Sequence, residues 1–211
     1  MLYHILSSND PSLLPQILQD LETARDPDGT LNIAKIVALP LFNSAFQETM
    51  RLYMDNLVAR TLKTDMVLDN YHYKQGELLI APSYVVQRDR AFWNQARASD
   101  EKAEDDVPDA HEWYAQRFLR RDPETGKDVF STSWASGNYF PFGGGHNICP
   151  GRLFARNEVL GAVAVLLTSF DIEVFKDEKG RADKLSVRHG YTGVGALRTA
   201  GSMRVRIKRR A

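Results

Sequence analysis

Residues 142–151 read FGGGHNICPG and contain the one cysteine of the 211-residue chain, Cys149. Three consecutive glycines precede this thiol, and the most apolar helix candidate of the chain, residues 153–170, follows it. Glycines permit positive φ angles and let the backbone come close to a flat ligand. A cysteine just before a helix faces free backbone N–H groups and the positive end of the helix dipole, which favours the thiolate.

A buried thiolate needs a stronger partner than the helix dipole. The dipole stabilises an anion by at most about 2 kcal/mol, whereas removing the anion from water costs several kcal/mol. A metal cation is the obvious partner. Zinc takes four ligands, and the chain has no CxxC or HxxxH spacing, whereas a haem iron needs only one protein ligand because the porphyrin supplies its nitrogens. The alternative is the ordinary role of a lone cysteine, that of a small buried hydrophobic residue.

The composition is that of an ordinary globular protein. Lys plus Arg and Asp plus Glu number 27 each, so no overall field favours nucleic acid as a partner. A single cysteine excludes an intramolecular disulfide and fits a reducing compartment. No apolar run approaches the ~20 residues of a membrane-spanning helix, and residues 1–11 lack the features of a signal peptide.

The hydrophobic pattern predicts a mainly α protein with small β-sheets. It indicates helices at residues 2–6, from the prolines at 11 and 15 towards 23, at 41–56 and at 153–170. The second of these helices should bury Leu14, Ile17, Leu18 and Leu21. Residues 57–86 should form short strands with turns at 69–70 and 75–76, residues 99–110 a solvated acidic loop, and residues 171–175 and 203–209 further strands.

Four motifs, in order along the chain, resemble the cytochrome P-450 family of haem-thiolate enzymes. The family's F-x-x-G-x-x-x-C-x-G-x-x-x-A pattern is matched by Phe142, Gly145, Cys149, Gly151 and Ala155. Residues 48–51, ETMR, match its E-x-x-R helix. Residues 87–93, QRDRAFW, resemble H-R-D-P-x-x-W, and residues 113–118, WYAQRF, stand where the family has F-x-P-E-R-F. Gln87 and Ala115 depart from these patterns.

The resemblance implies a haem b (iron protoporphyrin IX) with Cys149 as its axial ligand. Phe142 would shield the sulfur, and Gly151 would leave no side chain between the helix start and the ring. Arg60 would pair with a haem propionate, although an exposed strand arginine is the alternative. His146 would lie near a propionate. Asn147 stands where most relatives have arginine or histidine, which weakens one anchoring contact.

The resemblance also implies a structural cluster of Glu48, Arg51 and Arg117. Taken alone, a glutamate and an arginine three residues apart form a surface salt bridge worth a few tenths of a kcal/mol. In the family the pair is buried, is joined by the later arginine, and holds the cysteine loop in shape without performing chemistry.

The resemblance covers residues 1–211 as the C-terminal half of the cytochrome P-450 fold, from the end of the central helix to the last strands. The N-terminal half, with the acid–threonine pair that delivers protons to oxygen and any membrane anchor, would precede Met1. The chain would then be a fragment or truncated product with impaired or no activity. Residues 190–201, GYTGVGALRTAG, resemble the family's last strand turn, which enters the substrate cavity.

The activity implied is monooxygenation, of the hydroxylation type, of a small apolar substrate with electrons from an NADPH-dependent cytochrome P-450 reductase. A full-length eukaryotic relative would lie on the cytosolic face of the endoplasmic reticulum, attached through its N-terminal anchor. The pair at 146–147 is similar to the subgroup of prostacyclin synthase and the sterol 7α-hydroxylases, so a haem-thiolate isomerase or dehydratase is one alternative. A non-enzymatic haem-binding remnant is the other. No residue identifies the substrate or pathway.

Overall fold

The computed structural model describes residues 1–94, 108–175, 177–178, 185–187 and 194–210. The α-helices in these ranges are α1 (Leu2–Leu6), α2 (Leu13–Thr23), α3 (Ile33–Ile36), α4 (Pro40–Tyr53), α5 (Ser83–Val86), α6 (Arg90–Trp93) and α7 (Arg152–Ser169). The strands are β1 (Met54–Thr61), β2 (Met66–Leu68), β3 (Tyr71–Tyr73), β4 (Leu78–Pro82), β5 (Leu119–Arg121), β6 (Asp128–Phe130), β7 (Phe170–Val174), β8 (Ser186–Val187), β9 (Val194–Ala196), β10 (Thr199–Ala200) and β11 (Val205–Arg209). Helices with several small sheets are the architecture that the sequence predicts.

The main hydrophobic core lies between α2, α4 and α7. Helix α2 buries Leu13, Ile17 and Leu21, whose spacing of four places them on one face. The predicted buried face of this helix is therefore correct for Ile17 and Leu21 and begins at Leu13 in place of Leu14. Leu14 and Leu18 are only partly buried and flank this face. Residues 26–29 form a turn after α2, with the Gly29 N–H on Asp26 O and Gly29 at a φ of 84°.

Helix α4 carries the E-x-x-R motif through the centre of the molecule. Pro40 occupies its first turn, where a missing N–H costs nothing. The helix buries apolar residues such as Phe42 and Phe46 together with the charged Glu48 and Arg51. The predicted helix ran on to residue 56, but residues 54–56 open strand β1, whose register with β9 pairs Asp55 with Gly195.

The sheets are antiparallel, and the largest has the strand order β4-β1-β9. The β2–β3 turn places Asp69 and Asn70 at φ angles of 50° and 65°, as the predicted turn requires. Strands β7 and β11 pair from Phe170 with Arg209 to Val174 with Val205, so the predicted final strands form one ladder. Residues 83–86, expected as strand, form α5 instead.

Helix α7 follows the cysteine loop within one residue of its predicted bounds. A Cβ at Gly161 would lie 3.3 Å from Ile33 Cδ1, so the glycine permits close packing against α3. Leu153 and Phe154, in the first turn of α7, are exposed. None of the helices in the described ranges has the length and hydropathy to cross a bilayer. The predicted acidic loop up to residue 107 and residues 190–193 of the strand turn lie outside the described residues.

Candidate functional site

The loop at 142–149 is held by backbone hydrogen bonds, both within the loop and to Phe140 just before it. The Cys149 N–H donates to Phe142 O at 3.0 Å, and the Gly143 N–H donates to Phe140 O at 3.0 Å. Gly143 and Gly145 have φ angles of 75° and 64°, a region that residues with a Cβ adopt only at a cost. The loop therefore requires glycine at two of its three consecutive positions.

The cysteine thiol is exposed at the end of this loop, two residues before Gly151, the N-cap of α7. The Arg152 guanidinium and N–H both donate to Cys149 O, at 3.2 and 3.4 Å. A Cβ at Gly151 would lie 3.9 Å from Cys149 Sγ, which is an ordinary van der Waals contact. Ala155 continues the first turn of α7, and its N–H donates to Gly151 O at 2.9 Å.

Arg60 extends from β1 to the glycine loop. Its Nη2 donates to Gly144 O at 2.6 Å, and its Nη1 donates to Ala59 O at 2.7 Å. His146 and Asn147 are exposed on the short 3₁₀ helix Gly145–Asn147. Phe142 is partly buried and packs against the main core. The structure therefore brings the Arg60 guanidinium to the glycines of the loop and the Arg152 guanidinium to its cysteine.

These residues fit a flat, apolar ligand that needs one sulfur donor and carries an acidic edge. The thiol is accessible, and beyond the neighbouring residues 143 and 145 no described atom lies within 4 Å of the position that a Cβ would take at Gly144. Close to Cys149 in the sequence, Ile148, Leu153 and Phe154 expose 38%, 56% and 72% of their surface. Exposed apolar surface is unfavourable in water, and an apolar ligand would cover it. The fit is to a haem, whose iron takes its remaining ligands from the porphyrin.

Glu48, Arg51 and Arg117 form a fully buried ionic cluster. Arg51 Nε and Nη2 lie 2.7 and 2.8 Å from the two oxygens of Glu48, and Arg117 Nε lies 2.9 Å from Oε1. All three side chains have zero exposed surface. The pair on α4 is therefore not a surface salt bridge.

Each guanidinium of this cluster also satisfies backbone carbonyls. Arg51 Nη1 donates to Gln87 O at 2.6 Å and to Ala110 O at 2.7 Å. Arg117 donates to Trp93 O at 3.2 Å and to carbonyls between residues 108 and 112. Burial lowers the pKa of Arg117, and the neighbouring carboxylate opposes that shift. The cluster thereby ties two loop segments to α4.

The side-chain hydrogen bonds of the cluster, within the described ranges, do not reach residues 142–151. The resemblance implies that the cluster holds the cysteine loop in shape, and the connection between the two in the structure is indirect. Gln87 makes it: its Nε2 donates to Arg51 O at 3.2 Å, and its Oε1 accepts from the Phe140 N–H at 3.1 Å. Sequence reasoning registered Gln87 only as a departure from a motif and missed this contact.

A second, partly buried group lies where α1, α4 and the 113–118 motif meet. The His4 ring stacks on Trp113 at 4.9 Å, and its Nε2 lies 2.7 Å from the Tyr53 hydroxyl. Burial lowers the pKa of His4 to about 3, and the N-terminal charge adds to the shift. Trp113 Nε1 also donates to Thr49 Oγ1 at 3.0 Å. His4 therefore stays neutral in the folded chain.

A protein-family profile matches most of the chain. The family profile described as Cytochrome P450 matches residues 1–189. The chain belongs to the cytochrome P450 family. This assignment confirms the resemblance drawn from the four motifs. The family binds its haem through a cysteine thiolate, and Cys149 is the one cysteine that this P450 chain contains.

The curated relatives include several fungal enzymes. The chain is 30% identical to the cytochrome P450 monooxygenase calL of Penicillium decumbens, over 95% of this chain and 37% of that protein. It is 29% identical to the monooxygenase efuG of Hormonema carpetanum, over 96% and 38%. It is 30% identical to fsoE of Humicola fuscoatra, over 96% and 37%. The chain thus spans a little over a third of the length of the curated relatives it matches.

Proposed function

We propose that Cys149 ligates a haem iron as a thiolate and that the chain provides the thiolate-bearing part of a P450 monooxygenase. The observation that carries this proposal is the loop itself. Its one thiol is held by the hydrogen bond from Cys149 N–H to Phe142 O, is exposed, and lies just before the N-terminus of α7. An 18-residue helix that begins there favours a negative charge on the sulfur.

When bound, the haem supplies redox chemistry that activates dioxygen for insertion of one oxygen atom into an organic substrate. The chain's own residues bind and orient. Cys149 donates the sulfur, and the backbone at 143–145 lets the ring come close. Arg60, whose guanidinium already reaches Gly144 O, would take a propionate. The other residues proposed to contact the haem are Phe142, Gly145, His146, Asn147, Gly151 and Ala155.

The activity of the whole protein is inferred from the names of its relatives and is part of the proposal. The three fungal relatives are named monooxygenases. We propose a small apolar organic substrate, electrons from an NADPH-dependent cytochrome P450 reductase, and a location at the endoplasmic reticulum membrane. Hydroxylation is the reaction type that this proposal favours.

Replacement of the cysteine sulfur tests the proposal. We expect the purified chain to bind haem with a ferric absorption spectrum of thiolate type, and Cys149→Ser to lose that spectrum. His146→Ala is the matched control, because His146 is another metal-binding side chain of the same loop and is also exposed. If Cys149→Ser kept the wild-type spectrum while His146→Ala changed it, the thiolate assignment would be wrong.

A further inference from the structure

Three side-chain amides contact three consecutive residues just before the glycine loop. The residues contacted are Tyr139, Phe140 and Pro141, and the amides are Gln47 of α4, Asn56 of β1 and Gln87, which follows α5. The chain separations are 92, 53 and 85 residues, so three distant elements meet on this segment.

Each amide uses a different group of the segment. The Tyr139 hydroxyl lies 2.5 Å from Gln47 Oε1, the Phe140 N–H donates to Gln87 Oε1 at 3.1 Å, and Asn56 Nδ2 donates to Pro141 O. Gln87 is fully buried, and the other two amides are partly buried. The segment is therefore held through a side chain, a backbone donor and a backbone acceptor.

A neutral amide suits the buried position of Gln87. An ionised side chain there would lose its hydration at a cost in free energy. An amide offers both a donor and an acceptor without a charge. Gln87 uses both, with its Nε2 on Arg51 O and its Oε1 on Phe140 N. It thereby joins the ionic cluster to the segment.

The held segment leads directly into the cysteine loop. The Phe140 N–H donates to Gln87 Oε1, and Phe140 O accepts from the N–H of Gly143, the first glycine of the loop with a positive φ. Phe142, two residues on, accepts the N–H of Cys149. A shift at residue 140 therefore reaches Cys149 through two covalent steps to Phe142 and one hydrogen bond from Phe142 O to the Cys149 N–H, and the Gly143 hydrogen bond couples residue 140 to the glycine loop as well.

We propose that Gln47, Asn56 and Gln87 form an amide clamp that positions the Cys149 loop. They are positioning residues: they touch neither the sulfur nor a cofactor, and they fix the conformation of residues 139–149. The effect on the loop is a property of the folded chain. The effect on haem ligation rests on the proposed function.

Hydrogen exchange in the haem-free chain tests the clamp directly. Gln87→Met keeps the size of the side chain and removes both hydrogen-bonding ends. One lost hydrogen bond of ordinary strength should speed exchange at the Phe140, Gly143 and Cys149 amides by roughly 2- to 12-fold. Gln87→His, which keeps one donor and one acceptor, should restore most of the protection. Gln16→Met, at an exposed amide whose Nε2 donates to Ser12 Oγ, is the control and should leave these amides unchanged.

A milder variant is needed in case Gln87→Met does not fold. Tyr139→Phe removes only the hydroxyl that Gln47 accepts and leaves the ring in place, and the same amides should exchange faster. If both variants fold and neither changes the exchange rates at residues 140–149, the clamp is overturned. If only Tyr139→Phe folds, unchanged exchange rates in that variant overturn it.

The haem-loaded chain provides the second arm. With wild-type protein as reference, Gln87→Met should show a smaller fraction of thiolate-ligated haem in its absorption spectrum, and Gln87→His should recover it. If the wild type itself shows no thiolate ligation, the proposed function fails, and the exchange rates still decide the clamp. If the exchange rates rise but the thiolate fraction stays at the wild-type value, the positioning role is refuted.

Discussion

Removal of the Glu48 carboxylate is the perturbation that best tests the structural cluster. In the folded chain this group accepts from Arg51 at 2.7 and 2.8 Å, from Arg117 at 2.9 Å and from the Tyr114 N–H at 3.1 Å. Glu48→Ala leaves two fully buried guanidiniums without a counter-charge. Loss of one partner of a buried ion pair costs roughly 3–5 kcal/mol, against a total stability of about 5–15 kcal/mol for a typical domain.

The chain contains a matched control for this experiment. Glu22 and Arg25 have the same three-residue spacing and the same 2.7 Å N–O distance, but their side chains are 59% and 32% exposed. Water and salt screen such a pair, so Glu22→Ala should lower the free energy of unfolding by about 1 kcal/mol or less.

Urea titration followed by tryptophan fluorescence measures both variants against the wild type. We expect the midpoint of Glu48→Ala to fall well below that of Glu22→Ala, or Glu48→Ala to be recovered only in insoluble form while Glu22→Ala is soluble. Equal losses of unfolding free energy in the two variants would refute the argument that burial, and not spacing, makes this pair structural.

Three further predictions concern the loop and the buried histidine. Gly145→Ala should lower the free energy of unfolding by about 1–2 kcal/mol, because Gly145 has a φ of 64°. Gly144→Ala is the control and should change the free energy of unfolding little, because Gly144 has a φ of −156° and free space beside it. Equal losses in the two variants would contradict the φ argument. Arg60→Met should weaken haem binding by roughly two- to fivefold, as expected for an exposed ion pair, and should not weaken binding of haem dimethyl ester, which lacks the carboxylates. His4 has a folded pKa of about 3 and an ordinary value of 6.5, so the unfolded chain takes up the extra proton as pH falls. The His4 contribution to the unfolding free energy should therefore drop by about 2 kcal/mol from pH 7 to pH 5, in addition to the contribution of the Met1 amino group, whose pKa burial lowers to about 6. His4→Phe should remove that drop, and an unchanged pH dependence in urea titrations would show that another group causes it.

Features that depend on neighbouring residues could be predicted from the sequence. The positive φ angles at Gly143 and Gly145, the start of α7 close to Cys149, and the turn at 69–70 all depend on residues that are neighbours in sequence. Glycine and turn residues act through their own backbone, so short-range reasoning applies to them. The hydrophobic period likewise located α7 within one residue.

The contacts that the sequence could not predict join residues far apart in the chain. Nothing in the letters around Gln47 or Asn56 indicates that each meets a residue more than 80 positions away. The one-residue displacement at the start of the buried face of α2 has a similar cause, because the neighbouring helices decide which of Leu13 and Leu14 is covered. Residues 83–86 suit a strand by propensity but form α5, where Ser83 Oγ accepts from the Asn56 N–H at 2.8 Å.

The central claim is that Cys149 is the thiolate ligand of a haem, and the carbon monoxide difference spectrum of the reduced, haem-loaded chain tests it most directly. A thiolate opposite the bound carbon monoxide shifts the main absorption band strongly to the red. The account predicts that band for the wild type and its loss in Cys149→Ser at equal haem content. The same red-shifted band in Cys149→Ser would show that another group ligates the iron, and the account would be wrong.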